Sequence, residues 1–246
     1  MADTIPGLDK RAGLRGRAWP VATDLQTGDR QSRAPRRRPI VIVIVDHGMG
    51  NLGSVANMLR KLGADSVRST DRDTIASADK LILAGIGAFD GAAGRLAELG
   101  LVDVLNDAVL DRKVPTLGVC LGMQLMARSS EEGAQAGLGW LDADVRRFAF
   151  PTEARLPVPH MGWEDVRPTR ASPLFPSTSG DSRFYFSHAY HLVCRDPGDV
   201  AATATYGYEF AAAVHRENIL GTQFHPEKSH VFGLEIYRRF VALPAA

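Results

Sequence analysis

The stretch Val114-Pro-Thr-Leu-Gly-Val-Cys-Leu-Gly-Met-Gln124 decides the fold. An apolar run ends in Gly118-Val119, meets Cys120 and continues as Leu121-Gly122-Met123-Gln124-Leu125-Met126. The pattern reads as a buried strand, a sharp turn with a cysteine at its apex, then a helix. Glycines on both sides leave room for a tight backbone and an approaching substrate. Unpaired N–H groups in the first turn of that helix favour thiolate over thiol. Most free cysteines are small buried core residues. A cysteine between glycines at a strand-to-helix turn has the setting of a nucleophile instead.

Upstream, the unbroken β-branched run Ile40–Val45 predicts a strand buried on both faces of a parallel sheet. A helix from Leu52 to Leu62 follows, with Val55, Leu59 and Leu62 on one face and Gly63 as its stop signal. Strands are expected near Ser66–Ser69 and over Lys80–Ala84, and a helix over Leu96–Leu110. After Glu131-Glu132-Gly133 the pattern changes to short alternating segments: Asp144–Phe148, Trp163–Val166, Arg183–Ser187, His191–Cys194, Val200–Tyr206, Phe210–His215 and Ile219–Gln223. A helix from Val231 to Val241 closes the chain. The expectation is an α/β fold: one domain over residues 40–246, with a doubly wound, mostly parallel sheet, helices on both faces, and an added antiparallel portion in the C-terminal half.

The chain has 246 residues, 45% of them hydrophobic, which suits one sizeable domain. Residues 1–39 hold nine Lys or Arg and four Asp, a net of +5; the chain as a whole is +1, so the remainder is −4. That mildly acidic remainder argues against a nucleic-acid partner. Residues 1–39 show no helical or strand period and read as a disordered extension. A basic arm, a targeting segment or a mis-set translation start would also give such a stretch. No apolar run approaches the ~18–20 residues of a membrane span, and no signal-peptide core opens the chain. A cytoplasmic protein is expected, with no membrane partner. Two cysteines, Cys120 and Cys194, make no disulfide framework.

Gly48-Met-Gly50-Asn-Leu-Gly53 matches the dinucleotide pattern G-x-G-x-x-G, with Asp71 about the right distance downstream for a ribose hydroxyl. Asp46-His47 stand where that motif usually turns at once, and Arg68-Ser69-Thr70 is a poor buried strand end. Dinucleotide binding is therefore the weaker reading, and no cofactor is expected. His188/His191 and His225/His230 come without cysteines or a His-Glu-x-x-His helix, so no metal site is expected.

A nucleophilic cysteine needs a base, and the base an orienting group. In Gly221-Thr-Gln-Phe-His225-Pro-Glu227, Pro226 biases His225 toward extended backbone. Residues two apart then project to one side, so Glu227 can hold one nitrogen of the His225 ring. A surface His-Pro-Glu turn is the plain alternative. Acyl transfer also needs N–H donors at the developing oxyanion. Leu121, just after the nucleophile, supplies one. The glycine-flanked strand end Gly85-Ile86-Gly87 can supply a second, or is simply a loop.

So assembled, the chain resembles the class I, triad-type glutamine amidotransferases. Within them it is most similar to the glutaminase subunits of imidazole glycerol phosphate synthases. The resemblance runs from about Ile42 to Phe240. It is carried by Asp46–Val55, Gly85–Phe89, Gly118–Gln124, Ser129–Glu132, Pro159-His-Met-Gly-Trp163, Tyr185–Tyr190 and Gly221–Ser229. It implies a Cys120–His225–Glu227 triad acting on glutamine, with N–H groups of Leu121, Ile86 and Gly87 around the oxyanion. Gln124 and Glu131 match positions that hold the amino-acid end of glutamine; Gly85 and the backbone of His188, Ala189 and Tyr190 adjoin the same site. It also implies a (β/α)₈-barrel cyclase partner that takes the ammonia in a step of histidine biosynthesis. The alternatives are a paralogue feeding a sugar-modifying partner, or an inactive module keeping the fold alone. The chain departs from the family at His47 (usually Tyr), Ala84 (usually Pro), Glu164 (usually Asn) and in carrying residues 1–39. None of these removes a triad member.

Overall fold

The computed structural model describes residues 40–177 and 182–245, so the expected disordered extension lies outside the described residues. Strand β1 (Ile42–Val45) is wholly buried, and its alternation feeds two cores. Ile42 and Ile44 join one apolar cluster, Val43 and Val45 the other. A strand covered on both faces has no polar side, which is why this run is β-branched throughout.

Helix α1 (Leu52–Lys61) starts at Asn51, whose side chain accepts from the Ser54 N–H, and buries Leu52, Val55, Met58 and Leu59 as one stripe. Gly63, at φ +71°, ends it. β2 (Ser66–Ser69) is an edge strand, as its polar composition permits. A short helix α2 (Arg72–Ala76), absent from the sequence expectation, is capped by Asp71, whose carboxylate accepts from the Thr74 N–H at 2.8 Å. The acidic residue of the dinucleotide pattern is thus committed to a helix cap.

β3 (Lys80–Gly85) is buried along its whole length. The helix expected over Leu96–Leu110 is two: α3 (Phe89–Glu98) and α4 (Val102–Asn106), the latter running into a wide turn at Asp107–Asp111. Gly100, at φ +63°, breaks the run, while Leu96, Leu101, Val104 and Leu105 still pack into one core, so the apolar period passes through the break. β4 (Thr116–Cys120) leads into α5 (Leu121–Gln124), a single turn rather than a full helix. Next come β5 (Ser129–Ser130), β6 (Ala143–Arg147), β7 (His160–Pro168), β8 (Ser182–His188), β9 (Tyr190–Cys194), β10 (Val200–Tyr206), β11 (Tyr208–Arg216), β12 (Ile219–Thr222) and α6 (His230–Ala242).

The large sheet has nine strands in the order β2-β1-β3-β4-β12-β11-β10-β7-β8. β2, β1, β3, β4 and β12 are parallel; from β12 onward every pairing is antiparallel. The sheet thus carries the expected parallel run and the expected antiparallel C-terminal portion, four pairings of each kind, with the C-terminal strands extending the same sheet. β5, β6 and β9 make a small second sheet. Among the described residues no helix is long and apolar enough to cross a membrane.

The β4–α5 turn is packed to the limit. A Cβ on Gly122 would stand 1.6 Å from the Leu83 carbonyl oxygen in β3, backbone against backbone. Gly94 in α3 faces open space. Gly122→Ala should cost about 3 kcal/mol or more of unfolding free energy, whereas Gly94→Ala should be neutral or stabilising by up to about 1 kcal/mol. Urea unfolding of the two variants checks this; equal effects would contradict the packing account.

Candidate functional site

The site sits where parallel strands end, the usual crevice of an open α/β sheet. β3 pairs Gly85 with Cys120, and β12 pairs Thr222 with Val119, so three strand ends converge on one sulfur. Cys120 has φ +52° and ψ −110°, a conformation L-residues rarely adopt. The Gly122 contact holds that turn against β3. A cavity of about 310 Å³ opens at Cys120, with Leu121, Gln124, His188, Ala189, Tyr190 and His225 among its walls.

His225 follows β12, its N–H donated to the Tyr185 carbonyl at 2.9 Å. Its Nδ1 lies 2.8 Å from Glu227 Oε1, and both side chains are buried. Glu227 reaches it from a short 3₁₀ turn (Pro226–Lys228), not from the extended chain that the sequence suggested. Ser229 Oγ donates to the His225 carbonyl at 2.7 Å and accepts from the Tyr185 N–H, bracing the turn. Burial works against charge on the His225 ring, but hydrogen bonds and attraction from Cys120 and Glu227 outweigh it and raise its pKa to about 10. The raised pKa favours the charged ring at neutral pH, beside the Cys120 sulfur. This neighbour, rather than the one-turn α5, is the positive charge that favours a thiolate, since a single turn carries little macrodipole.

On the opposite wall stand Ile86 and Gly87. The Ile86 N–H donates to the Met49 carbonyl at 3.2 Å, so it is engaged outside the cavity; Gly87 sits at φ +108°. His47 braces the same strand: its Nε2–H donates to the Ala84 carbonyl at 3.1 Å, and burial pushes its pKa down.

Gln124 is buried and donates to the Tyr190 carbonyl at 2.9 Å. His188 donates from Nδ1 to that carbonyl at 2.7 Å. Burial, foremost, drives the His188 pKa down to about 3, so the ring is neutral. Glu131, expected beside the ligand, is not in the cavity. Its carboxylate accepts from Arg146 and from the Arg147 N–H, both at 2.8 Å, on the outer surface. Glu132 lines the cavity instead and accepts from the Phe89 N–H at 2.8 Å. Ser130 is buried, Glu131 exposed and Glu132 half-buried; the two carboxylates part in the turn that follows β5, where no strand or helix period marks which one faces the cavity. Gln223, beside the sulfur, and Lys228, on the cavity wall, were also missed.

The remaining candidates lie elsewhere. Burial pushes the Cys194 thiol up to about 12, so it stays a thiol near neutrality. His191 pairs with the Tyr208 hydroxyl, and His230 stacks on Trp163. Among the described residues no cluster of three or more His, Cys, Asp or Glu is arranged to hold a metal.

Comparison with known proteins shows the family. Residues 43–242 match the family model described as glutamine amidotransferase class-I. The chain is 47% identical over 203 residues to the imidazole glycerol phosphate synthase subunit HisH 2 of Pseudomonas aeruginosa, covering 82% of this chain and 100% of the relative. It is 44% identical over 201 residues to the subunit of that name from Methanococcus maripaludis, covering 82% and 98%. A crystal structure described as a glutamine amidotransferase superposes with a TM-score of 0.62 at 21% identity, over 81% of this chain and 96% of that one, a likeness of fold. With a cysteine elbow at the strand ends and a family model matched across nearly all of the described residues, the chain belongs to the class I glutamine amidotransferases.

Proposed function

We propose that the protein is the glutaminase subunit of an imidazole glycerol phosphate synthase, releasing ammonia from glutamine for a (β/α)₈-barrel cyclase in histidine biosynthesis. The observation that carries the chemistry is the buried Cys120–His225–Glu227 contact opening into one cavity. The subunit names of the relatives support the pathway and the partner. The working form would be a cytoplasmic heterodimer. Ile86, 48% exposed on the cavity wall, offers an apolar tip that suits a partner's docking face.

In this reading the Cys120 thiolate attacks the side-chain carbonyl carbon of glutamine, and the C=O electron pair moves to oxygen. The Leu121 and Gly87 N–H groups stabilise that oxyanion. As the C–N bond breaks, the His225 imidazolium gives its proton to the departing nitrogen, leaving ammonia and a glutamyl thioester. Neutral His225 then takes a proton from water, the hydroxide adds to the thioester, and the C–S bond breaks to return thiolate and glutamate. Glu227 keeps the ring oriented and its charge compensated. Gln124, Glu132 and the His188–Tyr190 backbone receive the amino-acid end of the substrate. The Gly85–Ile86 peptide is the adjustable part: in the resting state its N–H, that of Ile86, faces the Met49 carbonyl, and turning it inward would add a donor to the oxyanion hole.

The isolated subunit should hydrolyse glutamine slowly, and rates should rise on adding a barrel cyclase with its phosphoribulosyl ligand, with Cys120→Ala silent throughout. Full activity in Cys120→Ala would sink the mechanism, and activation only by a sugar-modifying partner would sink the pathway. In the cyclase complex the active thiolate–imidazolium pair should persist until His225 loses its proton near pH 10. Glu227→Gln removes a group that raises the His225 pKa, so the alkaline limb of the pH–rate profile should move to lower pH; an unmoved limb would count against Glu227 as the orienting group. Steady-state kinetics separates the two acidic neighbours. Glu132→Gln should raise the KM for glutamine about tenfold or more, and Glu131→Gln should stay within about twofold; the reverse order would restore Glu131 to the site.

A further inference from the structure

Gln223 has no exposed surface, and its backbone N–H is tied to the Ala212 carbonyl at 2.8 Å. Its carboxamide lies beside the nucleophile, Nε2 standing 3.7 Å from Cys120 Sγ. Which end of an amide faces a neighbour is decided by the partners around it. Here the decision starts at the Tyr190 carbonyl, which can only accept. It takes the Gln124 amide at 2.9 Å and the His188 Nδ1–H at 2.7 Å. Gln124 must therefore present its NH₂ group there. The second hydrogen of that group meets Gln223 Oε1 at 3.1 Å. With its oxygen so occupied, Gln223 turns its own NH₂ toward the sulfur. A backbone carbonyl on β9 thus dictates, through two buried amides, that the nucleophile faces a donor.

We propose that Gln223 is a further catalytic residue, whose Nε2–H donates to the Cys120 sulfur and holds it as the attacking and leaving thiolate. The inference rests on reading Cys120 as the nucleophile. Its benefit falls where the sulfur bears charge: before attack, and again when the C–S bond of the thioester breaks and the electron pair returns to sulfur. His225 supplies the opposite charge from the other side but carries the proton that ammonia needs. A donor that never gives up its proton can stabilise the thiolate at both stages. The other titratable groups around the cavity are His188, Tyr190, Glu132 and Lys228, with Glu227 behind His225; a change at Gln223 leaves all of them in place.

The test is alkylation of Cys120 by iodoacetamide across pH in the full-length protein, with the modified cysteine identified by peptide mass mapping. Cys194, its thiol pushed up to about 12, reacts apart from it. Gln223→Met keeps the side-chain length and removes the donor. Its alkylation profile should move up by about one pH unit, a roughly tenfold slower reaction on the acid limb. Gln223→Glu, which puts a carboxylate against the sulfur, should move it further. A folded Gln223→Met with the wild-type profile overturns the proposal. Should neither variant fold, the Gln223 side-chain amide resonance of ¹⁵N-labelled wild-type protein decides. It should shift with pH in step with Cys120 alkylation and cease to do so in Cys120→Ala; an unresponsive amide overturns the proposal. Alkylation needs no glutamine, so failure of the glutaminase reading would show separately, as absent turnover by the wild-type cyclase complex.

Discussion

The Cys120–His225–Glu227 contact, enclosed at the carboxyl ends of β3, β4 and β12, is the interaction the rest of the structure serves. Charges held away from water must be matched, because an unpaired buried ion costs far more than its pair returns. His225 and Glu227 are matched at 2.8 Å, and the Cys120 sulfur adjoins the same ring. Each member arrives by a different route: the strained elbow after β4, the end of β12, and the 3₁₀ turn that follows it. The mixed sheet brings these routes together. β12 lies parallel to β4 yet is the first strand of the antiparallel half, so it delivers a C-terminal histidine to an N-terminal strand end.

The same arrangement divides the cavity into a rigid side and an adjustable one. Gly122 has no room for a side chain against Leu83, and Ser229 and Tyr185 pin the histidine turn. Across the cavity, Ile86-Gly87 is held by single backbone contacts and has an exposed apolar tip.

The elements that position the site were legible wherever one residue pattern had one physical cause. Most of the β-branched run, Ile42–Val45, is a doubly covered strand, with Ile40 exposed ahead of it, and Cys120 between glycines sits at a tight turn. The failures share a different cause. The period from Leu96 to Leu110 continues across Gly100 because both helices pack on one core, so apolar spacing alone does not reveal a break. Glu131 and Glu132 differ by one position in the turn after β5, and only their partners in the fold, Arg146 and the Arg147 N–H for one and the Phe89 N–H for the other, tell which carboxylate turns inward. Gln223 was passed over because its neighbours Gln124 and Tyr190 are distant in sequence and meet it only in the fold.

The central claim is that ammonia leaves glutamine through a thioester on Cys120. Rapid acid quenching of the cyclase complex during glutamine turnover, followed by peptide mass mapping, tests it most directly. The account predicts a glutamyl adduct on the peptide carrying Cys120 and none on the peptide carrying Cys194. Glutamine turnover with Cys120 unmodified at every quench time, or with the adduct on another residue, would contradict it.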